Sequence, residues 1–183
     1  MKNCEVPGIL IAMPTLEGTF FEKSVILLCN YDEEGAFGLV MNNPSKTKVK
    51  EILANEIQNN SAFDVPLLVG GPVQPESFWA VHSSDFSVKE TTVLSKGIHL
   101  SSAQDILNSL AEGNNVKSYH FGSGYSGWSA GQLDQEIQEE SWWLGPLDES
   151  ILLNLDYELR WDTTMNNLGI DPHITPFAQT GLV

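Results

Sequence analysis

The sequence predicts an α+β fold with a largely antiparallel or mixed sheet, and three observations support this. Many short segments rich in Ile, Val and Leu are separated by turn residues, which is typical of strands. Only a few segments show helical spacing, and strands and helices do not alternate regularly as they do in parallel α/β folds. The chain has 183 residues, a usual length for one domain. We therefore expect residues 1–183 to form a single domain.

Seven segments carry the strand pattern. The first three are separated by Pro14, Gly18, the acidic turn at residues 32–35 and the sequence Asn42-Asn-Pro44. Such residues favour turns because they supply unusual backbone angles or local hydrogen bonds. The predicted strands are residues 8–13, 24–29, 36–41, 66–69, 78–82, 91–94 and 117–121.

The clearest helix is predicted at residues 103–111, where apolar side chains recur at spacings of three and four. Ser101 or Ser102 can cap its start, and Gly113 can end it. Three other segments have helical patterns that are acidic or weaker. They are residues 48–57, residues 132–140 with a start near Ala130, and residues 161–168 before Gly169.

The composition is strongly acidic. Nine Lys and Arg stand against 24 Asp and Glu, which gives a formal net charge of −15. Because duplex DNA is bound largely through neutralisation of its phosphates, this charge disfavours direct nucleic-acid binding, and it also disfavours docking on anionic membranes. Lys46, Lys48 and Lys50 form a local basic cluster that is too small for a nucleic-acid footprint. No apolar run approaches the length of a membrane span.

Two cysteines, Cys4 and Cys29, do not make a disulfide scaffold in a chain of this size. The apolar stretch at residues 9–13 is cut short by Pro14, which makes it too brief for a signal-peptide core. We therefore expect reduced thiols in a cytoplasmic protein. Cys29 follows an apolar run and is predicted to be a small buried hydrophobic residue.

Residues 122–131 are rich in glycine, and Gly122-x-Gly124-x-x-Gly127 matches the spacing of the dinucleotide-binding fingerprint. The fingerprint also needs a βαβ unit with a small helix residue after the glycines, and Trp128 stands there instead. We favour a structural loop. In Gly70-Gly-Pro-Val73, Gly70 and Gly71 favour a turn, with an anion-binding nest of backbone amides as the alternative.

Titratable residues offer candidates for chemistry. The four histidines lack the spacing of metal ligands, and no metal or cofactor is predicted. His82 and His120 lie in apolar strands, where each is either a hydrogen-bonded core residue or an acid or base facing a cleft. Four acids in the helix at residues 132–140 could hold a cation, but successive helical positions point around the axis, so a solvated face is favoured. These acids are Asp134, Glu136, Glu139 and Glu140.

In order and over nearly the full length, these segments resemble the YqgE/AlgH family of small bacterial proteins. The resemblance is carried by residues 10–14, 21–25, 35–40, 42–44, 70–73, 81–82, 102–105 and 124–142. It implies an α+β fold in which antiparallel strands curl into an irregular barrel flanked by helices. Members are often labelled transcriptional regulators, and the resemblance implies no reaction, cofactor or DNA-binding element. The chain departs from the family pattern at Asn30-Tyr31, where relatives have Glu-His, and at Asn43, where they have a basic residue.

The interpretation we adopt is a non-enzymatic binding or regulatory protein whose partner is an unidentified protein or small molecule. Exposed aromatic residues are favoured contact anchors, and residues 124–143 combine them with glycines without catalytic companions. The candidate binding surface consists of Gly70, Gly71, His82, Trp128, Gln132 and Glu136. The alternative is an enzyme acting on a small polar or anionic substrate, with a histidine as acid or base and the Gly70 and Gly71 amides holding an anion. Direct regulation through DNA ranks third because of the charge.

Overall fold

The computed structural model describes residues 6–52 and 61–170, and it confirms the α+β class. Ten strands and five helices lie in this part of the chain, with short 3-10 turns at Pro14–Leu16 and Ser61–Phe63. The strands are β1 Gly8–Ala12, β2 Val25–Asp32, β3 Gly35–Val40, β4 Pro44–Lys48, β5 Pro66–Val69, β6 Val73–Ser83, β7 Thr92–Val93, β8 Ile98–Ser102, β9 Tyr119–Ser129 and β10 Trp142–Pro146. The helices are α1 Val49–Ile52, α2 Ala103–Ala111, α3 Gln132–Gln138, α4 Glu149–Asn154 and α5 Tyr157–Asn167.

The strands form one curled sheet in the order β10-β1-β2-β3-β9-β6-β8-β7, with β4 and β5 branching from β9. Every pair is antiparallel except β5 with β9, which run parallel. The long strand β9 lies at the centre. It pairs with β3 near its C-terminal end, and with β5 and β6 near its start. The family resemblance implied strands curled into an irregular barrel, and the curled sheet observed is a half-barrel.

Both faces of β1 are covered, because alternate side chains enter different cores. Ile9 and Ile11 pack with α5 residues such as Trp161. Leu10 lies in another core, with Leu133 of α3. A third core packs α2 against β6 and β9. The arrangement leaves β10 as an edge strand with α3 beside it.

The glycine-rich segment is a strand and not the predicted loop. Its backbone pairs with neighbours on both sides, and these pairings override the low strand propensity of glycine. The glycines make room for close contacts: a Cβ on Gly122 would lie 2.1 Å from the ring of Trp79. Because Gly122, Gly124 and Gly127 all lie inside β9, their spacing does not form the strand-to-helix turn of a dinucleotide site.

Four of the five helices in the described residues correspond to predicted segments, most of them with shifted ends, whereas α4 was not predicted. Helix α2 matches residues 103–111, although Ser102 at its N-cap makes no side-chain capping bond. Helix α5 begins four residues earlier than predicted, and Gly169 follows it in the left-handed region. Of the helix predicted at residues 48–57, Val49–Ile52 is observed and residues 53–57 lie outside the described residues. Across residues 6–52 and 61–170, no helix has the length and apolar character needed to cross a bilayer.

Candidate functional site

Glu136 of α3 holds two tryptophans at the end of the sheet. Its Oε2 accepts hydrogen bonds from the indole Nε1 of Trp128 and of Trp142, both at 2.8 Å. The two indole rings meet edge to face, with centroids 5.8 Å apart. Both side chains are buried, at 6% and 3% exposure. The carboxylate therefore satisfies two buried donors at once and ties α3 to β9 and β10.

Gln132 extends this cluster toward the end of β9. Its Nε2 donates to Glu136 Oε1 at 2.9 Å, one helical turn away. Its Oε1 accepts from the backbone N–H and the hydroxyl of Ser129, at 3.0 and 3.2 Å. The structure thus brings together three of the predicted site residues, Trp128, Gln132 and Glu136. Since Trp128 is buried, its place in this cluster is internal, and ligand contact falls to its neighbours.

A groove of about 760 Å³ lies next to this cluster, between α3, β10 and the end of β2. We call it the α3 groove. Its volume falls in the range usual for sites that bind small molecules. It is lined by Met13, Tyr31, Asp134, Ile137, Gln138, Glu140, Trp142, Trp143 and Leu144.

The walls of the α3 groove combine apolar surface with negative charge. Trp143 is 46% exposed, which is high for so large an apolar side chain. Asp134 accepts a hydrogen bond from the Tyr31 hydroxyl at 2.6 Å, so this acid is held in place across the groove. Glu140 adopts the left-handed conformation that ends α3, with φ of 56°, and the chain turns there into β10. The acids of this helix are thus partly engaged, and not simply the solvated face that the sequence favours.

The histidines lie on opposite faces of the sheet. His82 pairs with Tyr119 and His120 pairs with Val81, so the two side chains point in opposite directions. His82 is fully buried; its Nε2 lies 2.9 Å from Ser101 Oγ. Burial lowers the pKa of His82, which favours the neutral ring. The two rings therefore do not form one acid-base site.

His120 belongs to a polar cluster under α5. Its Nε2 is 3.1 Å from a guanidinium nitrogen of Arg160, and its Nδ1 is 3.0 Å from the Tyr157 hydroxyl. Burial, reinforced by the positive charge of Arg160, lowers the pKa of His120 to about 4. The buried Arg160 also donates to the carbonyls of Met41 and Leu155. The cluster joins α5 to the sheet and lies outside the α3 groove.

Gly70 and Gly71 are packed against β9. The Gly70 N–H donates to Ser123 O at 2.9 Å, so this amide is not free to bind an anion. An added Cβ would lie 2.5 Å from Gly124 O at Gly70, and 2.1 Å from the Tyr125 backbone at Gly71. Gly70 and Gly71 lie between β5 and β6, before a bend at Pro72, and they allow close approach of two backbones. They do not line the α3 groove.

Two aromatic side chains that line the groove were not among the predicted site residues. Tyr31 and Trp143 carry signals that were visible: Tyr31 stands where relatives have histidine, and Trp143 follows the acidic helix. Their meeting depends on tertiary structure, since Tyr31 and Asp134 are 103 positions apart. In the described part of the chain, no group of three or more His, Cys, Asp or Glu is placed to hold a metal ion.

The fold and this site define a small α+β protein with a curled, mainly antiparallel sheet and an aromatic, acidic groove at its edge. The family model described as AlgH-like matches residues 9–173. The chain belongs to the YqgE/AlgH family.

Relatives and solved structures agree with this assignment. A UPF0301 protein of Shewanella sp. strain ANA-3 is 36% identical over 168 residues, which cover 88% of this chain and 90% of the relative. A UPF0301 protein of Xanthomonas campestris pv. campestris strain B100 is 34% identical over 166 residues, covering 89% and 88%. The solution structure of the AlgH protein from Pseudomonas aeruginosa matches with a TM-score of 0.75 and 32% identity, over 96% of this chain and 94% of that one. A Corynebacterium diphtheriae protein shares the fold alone, with a TM-score of 0.71 and 22% identity over 99% and 95%.

Proposed function

We propose that this protein is a non-enzymatic binding or regulatory protein and that the α3 groove is its binding site. The observation that carries the proposal is the groove itself, in which an exposed tryptophan lies beside a rigid, hydrogen-bonded support. Glu136 bonds the Trp142 indole, and β10 pairs with β1, so the backbone that presents Trp143 is held in place. A contact residue on a fixed backbone binds a ligand with a smaller loss of conformational entropy than one on a mobile segment.

The lining indicates the chemistry of the ligand. Among the described residues, Asp134 and Glu140 are the charged side chains that line the groove, and none of its lining residues is Lys, Arg or His. Trp143 and Ile137 add apolar surface. A ligand with both apolar area and positive charge fits this wall, because a cation can interact with the carboxylates and with the aromatic ring face.

Two considerations favour binding over catalysis and over DNA contact. The histidines predicted as acid or base lie on opposite faces of the sheet, and neither lines the groove. The formal charge of −15 opposes a polyanionic partner. A regulatory role therefore runs through a cationic ligand or a protein partner. The cysteine content supports the proposal that it does so in the cytoplasm.

An NMR titration tests this proposal. We expect benzyltrimethylammonium to shift the indole N–H signals of Trp142 and Trp143 and the amide signal of Ile137, and benzenesulfonate of similar size to leave them unchanged. Trp143→Ala should weaken the cation's binding at least fivefold. Phe78→Ala, which removes an exposed aromatic residue elsewhere, is the matched control and should have no effect. Equal shifts by cation and anion, or shifts spread over the whole surface, would refute the proposal.

A further inference from the structure

We propose that the α3 groove takes an extended, lysine- or arginine-containing segment of a partner protein, which adds to the sheet as a strand beside β10. The inference deepens the proposed function and rests on it. It names the partner's chemistry and the main-chain contacts that hold it. Strand addition to an exposed sheet edge is a general mode of peptide recognition in which backbone bonds supply affinity and side-chain pockets supply specificity.

The register of β1 and β10 shows which backbone groups of β10 are free. Ile11 pairs with Trp143, and Met13 N–H donates to Ser141 O at 3.0 Å. In an antiparallel pair, bonded positions alternate with unbonded ones. The main-chain groups of Ser141, Trp143 and Gly145 therefore face β1. Those of Trp142 and Leu144 face away from it.

The pairing of β1 with β2 confirms this alternation of bonded positions. Ala12 N–H donates to Ser24 O at 2.9 Å, so Ala12 faces β2 while Met13 faces β10. Within residues 6–52 and 61–170, β10 pairs with β1 alone, and no backbone or side-chain bond is found to the main chain of Leu144 beyond its strand. Trp142 and Leu144 both line the α3 groove. The groove thus runs along an unpaired strand edge.

Side chains above and below this edge suit an alternating segment. Leu144 and Ile137 pack on the side of β10 that faces α3, and Trp143 projects from the other side. Successive residues of an added strand would meet these two sides in turn. Asp134 and Glu140 supply the negative charge that a Lys or Arg on the segment would approach. Since β10 has five residues, a segment of about five to seven residues, roughly 17–24 Å long, matches it.

A second copy of this chain would be a poorer occupant of the groove. Pairing of two β10 edges would bring Asp134 and Glu140 of each copy toward those of the other, and each copy carries a formal charge of −15. Like charges placed opposite one another oppose association. The charge pattern therefore favours a basic partner over self-association.

Two peptides of equal charge separate strand addition from simple attraction. The first is acetyl-Lys-Val-Lys-Val-Lys-Val-Lys-amide, which can form strand hydrogen bonds. The second has proline at each valine position and lacks the three valine N–H donors. At about 150 mM salt, where exposed charges are screened beyond roughly 8 Å, we expect the valine peptide to bind at least tenfold tighter by isothermal titration calorimetry.

The matched protein variants act at Leu144. Leu144→Pro removes one outward N–H and leaves the bonds to β1 intact, because proline is tolerated on the free side of an edge strand. Leu144→Pro should weaken binding of the valine peptide at least fivefold, whereas Leu144→Val should change its affinity by less than twofold. Glu140→Gln should weaken both peptides by a similar factor, because it removes charge and no backbone group.

Distinct outcomes overturn distinct claims. If the two peptides bind equally and Leu144→Pro changes neither, strand addition is refuted and groove binding stands. If no peptide binds and the small aromatic cation also fails to shift the indole signals, the proposed function fails with it. A concentration-dependent dimer that Leu144→Pro abolishes would assign the edge to self-association and refute the basic partner.

If Leu144→Pro does not fold, backbone N-methylation of the valine peptide replaces it. Methyl groups on the alternate amides that face β10 should abolish binding. Methyl groups on the other alternate amides, which face solvent, should preserve it. Absence of this two-residue alternation would overturn strand addition.

Discussion

Replacing Glu136 by alanine should destabilise the protein strongly, because it leaves two buried indole N–H groups without an acceptor. Trp128 and Trp142 each donate to the same carboxylate oxygen at 2.8 Å. A buried donor left unsatisfied costs about 1–2 kcal/mol, so the pair predicts a loss of about 2–4 kcal/mol in the free energy of unfolding. For a chain of this length, that corresponds to a fall in Tm of roughly 5–15 °C.

Urea denaturation followed by tryptophan fluorescence measures the loss directly. Glu136→Gln keeps an acceptor for the indoles without the charge, so we expect it to cost about 1 kcal/mol. Glu139→Gln is the matched control on the same helix. The Glu139 carboxylate accepts only an exposed hydrogen bond from Gln135, so its replacement should stay within about 0.5 kcal/mol of the native chain.

The stabilising role of Glu136 is refuted if Glu136→Ala is no more destabilising than Glu139→Gln. It is refuted equally if the indole N–H signals of both tryptophans remain sharp and unshifted in Glu136→Ala. Either result would mean that other contacts hold the tryptophan pair and that the carboxylate is dispensable.

Three further predictions concern residues outside the groove. Gly122→Ala should cost about 3 kcal/mol in urea denaturation, because its Cβ would overlap a fixed indole ring, whereas Gly127→Ala meets only a movable side chain and should cost less than about 1 kcal/mol. The pKa of His120 is lowered from 6.5 to about 4 in the folded chain, and this shift corresponds to roughly 3 kcal/mol in the free energy of unfolding. That stability is fully present above pH 6.5 and is lost as the pH falls toward 4. The stability difference between the native chain and His120→Gln should show that slope. Burial raises the pKa of Cys29 to about 12, and in a Cys4→Ser variant its thiol should react with a disulfide reagent at pH 8 at least 100-fold more slowly when folded than when unfolded.

These predictions have separate contradictory outcomes. Equal losses in the two glycine variants would show that the sheet adapts to the added methyl group. A pH profile unchanged by removal of His120 would mean that the histidine is protonated equally in the folded and unfolded chains. Rapid native labelling of Cys29 would show that solvent reaches the thiol.

Local sequence patterns predicted the elements whose structure depends on neighbours along the chain. The apolar run near residues 25–28 and the apolar stripe of α2 are examples, since the spacing of their apolar residues predicts a strand and a helix. Gly122 and Gly124 show where this fails. Their low strand propensity predicts a loop, yet β9 pairs on both sides. The bulk of Trp79 requires glycine at position 122, and a left-handed backbone with φ of 69° favours glycine at position 124.

The site was harder to predict for a related reason. Residues 124–143 were singled out, and the α3 groove borders them. Within that segment, however, Trp128, which was predicted as a contact residue, is a buried anchor, and Trp143, to which no role was assigned, is exposed. One residue of register decides which tryptophan faces solvent. His82 lies outside the groove for another reason: four strands, β1, β2, β3 and β9, separate its strand β6 from β10.

The acidic helix α3 has two tasks at this edge of the sheet: one acid anchors the buried tryptophans, and another lines the groove. Two acids of α3 have different surroundings: Glu136 is partly buried and bonded to indoles, and Asp134 is exposed at the groove. The first stabilises the fold through neutral donors, whereas the second can attract a cation without upsetting the core. Because Leu144 keeps its main-chain groups outward on the same edge, charge and unpaired backbone meet in one place. A basic extended chain can satisfy both at once, while a folded acidic surface or a nucleic acid cannot.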